Sequence, residues 1–186
     1  MEALTYILIG ALVMLALSIL RERFAGFRAQ RPEDYTGGND QIDLRKHLDG
    51  AIKCDGVIYG PTGRVVSRFT GDFMANWQGN RGVMQEHFAY DSGNTQDREW
   101  RLELGNDGSI RAEADDLVGI GYGRQLGSAA QLCYRIRLPR EAGGHVLSVT
   151  DWMYLAPNGA VVNRSQFRKF GIKVAELVAT MRRVDA

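Results

Sequence analysis

Between Asp151 and Lys173 the chain reads DWMYLAPNGAVVNRSQFRKFGIK, gathering one carboxylate, one indole and four cations around a Pro-Asn-Gly turn. Leu147, Val149, Met153 and Leu155 fall in phase on one strand face, and the same phase places Asp151 among them. A buried carboxylate without a partner is costly, so Asp151 calls for a cation, and Arg164 or Lys169 is expected to supply it. Such a pair could be a salt bridge closing one end of a barrel. It could also be a ligand site in which Arg164 grips a carboxylate or phosphate through two parallel N–H bonds. An enzyme would instead use Asp151 as general acid or base. Trp77, Trp100, Tyr134 and Trp152 are the candidates for lining a cavity beside that pair, or equally for plain core, since large aromatics dominate ordinary cores.

The other reactive side chains are weaker candidates. His47, His87 and His145 are far apart and match no zinc or triad spacing. Cys54 and Cys133 could pair across a barrel in an oxidising compartment, but two cysteines without a framework read as free thiols. Asp115 and Asp116 precede LVGIGYG, whose glycines suggest a phosphate loop; with no strand-to-helix context the stretch reads as a loop at a barrel mouth. No cofactor is expected: an inward axial histidine for haem is missing from both closing strands. The four arginines ahead of Pro32 leave 19 of the 23 basic residues for the rest of the chain, against 20 of the 22 acidic ones. No strong positive field exists there, which argues against a nucleic-acid partner.

These residues must be positioned by strands. Turn chemistry recurs at GPTG (60–63), QGNRG (78–82), DSGN (91–94), GNDG (105–108), EAGG (141–144) and APNG (156–159), where Gly, Asn and Asp tolerate positive φ. Between the turns, residues alternate. In DREWRLEL the side chains of Arg98, Trp100, Leu102 and Leu104 share one face, and in QLCYRIRL those of Leu132, Tyr134, Ile136 and Leu138 do so. This is the period of strands with one buried face. About eight strands are expected, near 51–60, 64–77, 83–91, 96–104, 109–115, 129–139, 145–155 and 160–169, with 172–184 a ninth strand or a closing helix. A meander of eight to ten strands closes to remove its edges. The expected fold is mainly β, an antiparallel up-and-down lipocalin-like barrel over residues 42–186, with an open two-sheet sandwich as the alternative.

Ahead of it, Leu4–Leu20 is a run of 17 uncharged residues. As a helix it spans about 26 Å, just short of a hydrocarbon core of about 30 Å. The start is not basic and no small-residue cleavage site follows, which favours an uncleaved anchor (residues 1–21) over a signal peptide. Residues 22–41 form a basic juxtamembrane segment and linker. Arg21, Arg23, Arg28 and Arg31 all follow the helix, which places the barrel on the cytoplasmic side of an inner membrane.

IDLRKHLDG, GRVVSRF, NWQG, YDSGNTQDREW, ADDLVG, TDWMYL, NRS and KFGIKVAE occur in that order over residues 42–176. In this series the chain resembles a bacterial envelope family catalogued only as a domain of unknown function and usually carried as small lipoproteins. The resemblance implies a calycin-type barrel at the membrane and a periplasmic address, and it supplies no catalytic residues. This chain departs from it in having no cysteine just after the apolar segment to take a lipid. The function expected is a membrane-anchored binding module whose partners are the bilayer and a hydrophobic small molecule, such as a fatty acid or lipid fragment. An accessory scaffold subunit or a small lipid-modifying enzyme are the alternatives.

Overall fold

In the computed structural model residues 2–184 are described; Met1 and residues 185–186, the extreme ends of the first and last expected segments, lie outside them. Helix α1 covers Glu2–Ala25, longer than the apolar run itself, and none of its residues is buried. Two 3₁₀ turns, Phe27–Ala29 and Pro32–Tyr35, lead to the short helix α2 (Leu44–His47). Ten strands follow: β1 (Gly50–Tyr59), β2 (Val65–Gln78), β3 (Arg81–Tyr90), β4 (Thr95–Leu104), β5 (Ser109–Glu113), β6 (Gly121–Leu126), β7 (Ala129–Arg137), β8 (Val146–Leu155), β9 (Val161–Lys169) and β10 (Ile172–Arg183). Each pairs antiparallel with its neighbours in sequence, and β1 pairs with β10 from Ile52↔Arg183 to Tyr59↔Glu176, so the sheet closes into a barrel with no free edge.

The alternation expected from sequence sets the inside of the wall. Phe69, Phe73 and Ala75 of β2, Met84 of β3, and Trp100, Leu102 and Leu104 of β4 are buried, while their neighbours along each strand face out. One open alternative is settled and one expectation is corrected. Of the two forms open to the tail it takes the strand, because Leu177, Ala179 and Met181 continue the inward phase. The stretch read as a glycine loop contains strand β6, whose glycines are packing residues: a Cβ on Gly123 would stand 1.9 Å from the Gln131 carbonyl oxygen of β7.

The barrel has two unlike ends. At the end holding the β2–β3, β4–β5, β6–β7 and β8–β9 turns, α2 forms a plug. Asp43 caps α2 by accepting from the Arg45 backbone N–H at 3.0 Å, Leu44 and Leu48 are buried in the core, and Trp77 donates Nε1–H to the Leu48 carbonyl at 2.8 Å. The chain reaches this plug as a strap along the outer wall. Tyr35 lies over Trp152 at 5.3 Å, the hydroxyls of Tyr35 and Tyr154 both donate to Gln30 Oε1, and Ile42 donates its N–H to the Gly127 carbonyl at 2.8 Å. Residues of α1 meet the opposite end, where Arg168, at the close of β9, approaches Glu22 at 3.3 Å.

Candidate functional site

The polar residues of the interior come from several strands. Glu86 of β3 faces inward, directly opposite Arg98 of β4 in the ladder; Tyr134 comes from β7, Asp151 from β8 and Ser165 from β9. Arg98 joins the two sides. Its guanidinium lies 4.0 Å from the centre of the Trp100 ring and 5.7 Å from that of Tyr134, and those two rings meet edge to face at 5.2 Å. Its Nε stands 3.0 Å from Oδ2 of Asp116, and its Nη2 donates to Oδ1 at 3.1 Å. Asp116 belongs to the β5–β6 connection, so the ion pair sits toward the end away from α2.

Glu86 and Asp151 are only 8% and 9% exposed. Burial pushes the Glu86 carboxyl up to about 7, against the opposing pull of Arg98, and the negative charge of Asp151 adds to the rise. Burial likewise raises Asp151, although Ser165 and Tyr134 favour its charged form. Burial holds the Tyr134 phenol well above its ordinary value. Two oxygens, Glu86 Oε2 and Asp151 Oδ1, are fully enclosed and have no hydrogen-bond partner. Both residues are among those lining a cavity of about 130 Å³ whose other walls include Cys54, Phe73, Phe88, Trp100, Leu132 and Met153. A larger hollow, about 780 Å³, lies open along strands β1–β4. Its outward charges Lys53 and Asp72, and His87 and Asp97, are paired with each other, and Glu86, Arg98 and Glu99 also line it.

The structure brings together three of the residues singled out from sequence, Asp151, Trp100 and Tyr134. The other three are elsewhere. Trp77 closes the plugged end. Trp152 is fully buried but faces outward, beneath Tyr35 of the strap and stacked on Tyr154 at 6.0 Å. Arg164 also faces outward, because it is one step out of phase with Asn163, Ser165 and Phe167, which border the cavity. Its Nε donates to Glu176 Oε1 at 2.6 Å and its guanidinium lies over the Phe27 ring at 5.0 Å, so it can neither pair with Asp151 nor clamp a ligand inside. Lys169 lies over Phe170, away from Asp151. The cation that acts on Asp151 is Arg98, and with Glu86 it completes the site.

Cys54 is inside and Cys133 is outside, where its Sγ stands 3.7 Å from Thr150 Oγ1; both are free, and the barrel wall separates them. Burial pushes the Cys54 thiol up to about 12, which leaves it unreactive. Among the described residues, no group of three or more His, Cys, Asp or Glu could hold a metal ion.

A family description, "Protein of unknown function (DUF3833)", matches residues 22–183, from the end of α1 to the last residue of β10. The chain belongs to the DUF3833 family. No curated protein matches it. The DUF3833 barrel is similar in fold to the S-type phycobiliprotein lyase CPES from Guillardia theta, at TM-score 0.56 and 7% identity, covering 84% of this chain and 99% of that one. It is also similar to Rv2717c from M. tuberculosis, at TM-score 0.54 and 14% identity, covering 78% of this chain and all of the other. At these identities the likeness is one of fold alone: DUF3833 shares the lipocalin-like, calycin-type barrel.

Proposed function

We propose that this protein is a membrane-anchored barrel that binds a small, largely apolar molecule carrying a hydrogen-bond donor, held by Glu86 and Asp151 beneath Arg98. The observation that carries this reading is a largely apolar cavity lined by Glu86 and Asp151, each of which has one buried oxygen without a partner, with Arg98, Tyr134, Asn163 and Ser165 as its other polar walls. Enclosed polar atoms without partners are destabilising, and a ligand donor would relieve that cost. The cavity's volume sets the ligand's size. Drug-sized ligands occupy roughly 300 Å³ or more, whereas an apolar cavity of about 150 Å³ accepts benzene. At about 130 Å³ the space suits a ring or a short chain, a lipid fragment rather than a whole fatty acid.

Its chemistry also selects the head group. Two carboxyls face the cavity and the one guanidinium there is already held by Asp116, so an amine or alcohol suits it better than a carboxylate. Benzylamine, benzyl alcohol and benzoate present one ring with three heads. Calorimetry on the full chain in detergent at pH 8 should rank them amine, alcohol, benzoate, with Glu86→Gln weakening the amine at least tenfold. Benzoate binding tightest, or none of the three binding, would reject the site.

A catalytic reading is favoured by one observation: a carboxyl near 7 is suited to proton transfer at neutral pH. It requires turnover of a bound ester or alcohol that Asp151→Asn or Glu86→Gln abolishes.

A further inference from the structure

The most exposed apolar residue described is Phe170, 94% accessible, and two residues on is Ile172, 70% accessible. They form the tip of the β9–β10 hairpin. Phe170 is also the one non-glycine residue described with positive φ, 52°, a region that bulky side chains rarely adopt. Only the Lys169 ammonium lies near its ring, at 5.7 Å, so the barrel gives this aromatic no apolar cover.

The surroundings indicate what does cover it. Cations flank the tip on both sides, Arg168 and Lys169 before it and Lys173 after it. Arg168 ties the tip to α1: its Nη1 donates to the Gly171 carbonyl at 2.7 Å and approaches Glu22 at 3.3 Å. Glu22 is two residues beyond the apolar run, about 3 Å along the helix axis. The tip therefore stands at the level where α1 would leave a hydrocarbon core. It also protrudes: β10 starts at Ile172 but pairs with β1 only from Glu176, an overhang of about 13 Å. Beside it in the barrel the β1–β2 hairpin, at the same end, exposes Val65 and Val66.

We infer that the β9–β10 tip is a second membrane contact, inserting Phe170 and Ile172 into the interface of an anionic bilayer while Lys169 meets the head groups. Aromatic and basic residues together are the composition that interfacial segments use. This rests on α1 being the anchor. The contact turns the barrel end bearing the Arg98–Asp116 pair toward the lipid, so a membrane-dissolved ligand would enter from below.

The test places the full chain in vesicles of phosphatidylglycerol and phosphatidylcholine with brominated acyl chains, which quench nearby indoles. Separate variants carry Phe170→Trp, Ile172→Trp, Leu12→Trp in the helix and Met74→Trp on the outer wall; the unsubstituted chain's emission is subtracted. The tip indoles should lose at least half their emission to lipids brominated near the head group, and lose less when phosphatidylglycerol is omitted, while Met74→Trp is unaffected. Quenching of Leu12→Trp with neither tip indole quenched would keep the anchor and overturn the contact. If Leu12→Trp is not quenched either, the anchor falls and the contact with it.

Discussion

Glu86 stands opposite Arg98 in the β3–β4 ladder, yet its carboxyl is lifted to about 7, because burial outweighs the pull of a guanidinium that Asp116 already holds. Asp151 is raised for the same reason. Both groups hold their protons more tightly folded than unfolded, where they titrate near 4. The stability Glu86 contributes is therefore full below about pH 4 and is lost as the pH rises through about 7, and that of Asp151 is likewise lost with rising pH. Urea unfolding should show a barrel less stable at pH 8.5 than at pH 5.5, by about 2 kcal/mol from Glu86. Glu86→Gln should flatten that slope, and an unchanged slope in this variant would show that Glu86 is not the group responsible. The sequence carried part of this. DREWRLEL placed Arg98 on the buried face with Trp100, and Met84, Glu86 and Phe88 are equally in phase. A charge in step with apolar neighbours was the available signal. Proximity in sequence pointed instead to Arg164, which strand parity puts on the outside, where it shares Glu176 with Lys173. Trp152 shows a different limit: it is buried on the outer face by Tyr35, and alternation within one strand cannot reveal what a distant strap will cover.

At the level of elements, hairpin connections were legible because their glycines and asparagines are dictated by backbone geometry, as at Gly159 with φ +80° in the β8–β9 turn. Strand β6 was hidden by the opposite use of the same residue. Gly123 is in a strand where the neighbouring strand comes too close for a side chain and Gly121 where the fit is tight, and single-sequence patterning cannot distinguish that from a flexible loop. The difference can be measured. Gly123→Ala forces its methyl against the Gln131 carbonyl, backbone that cannot rotate away, so thermal or urea unfolding should show a loss of about 1–3 kcal/mol or more. Gly10→Ala, on an open face of α1, should cost nothing. A Gly123→Ala barrel as stable as the parent would mean that β6 and β7 are not paired as described. The plug follows from local chemistry as well. Asp43 starts α2 and Leu44 and Leu48 enter the core, so Leu44→Ala should destabilise by about 2–5 kcal/mol.

For the whole molecule, the order of parts gives the barrel a direction. α1 ends beside the β9–β10 hairpin, the strap crosses the wall over β8 and β9, and α2 seals the far end, so the unplugged end is the one nearest α1. Which compartment that end faces depends on how α1 inserts. The helix has one acidic residue in its first turn, Glu2, and its arginines near the other end, at Arg21 and Arg23, with Arg28 and Arg31 following in the strap. Basic residues close to a helix end are retained in the cytoplasm, while acidic ones contribute little. The resemblance to lipoproteins points to the periplasm, but a lipoprotein is exported so that a cysteine after the apolar run can be lipidated, and here that position is occupied by RERFAGFR. On the basis of this charge distribution we propose a cytoplasmic barrel. In a bacterial host, green fluorescent protein fused after Ala186 should fluoresce and alkaline phosphatase fused there should be inactive. If α1 stays attached as proposed, peptides spanning Leu4–Leu20 should be recovered from the membrane-bound protein by mass spectrometry. An active phosphatase fusion would reverse the orientation, and loss of those peptides would make α1 a cleaved signal.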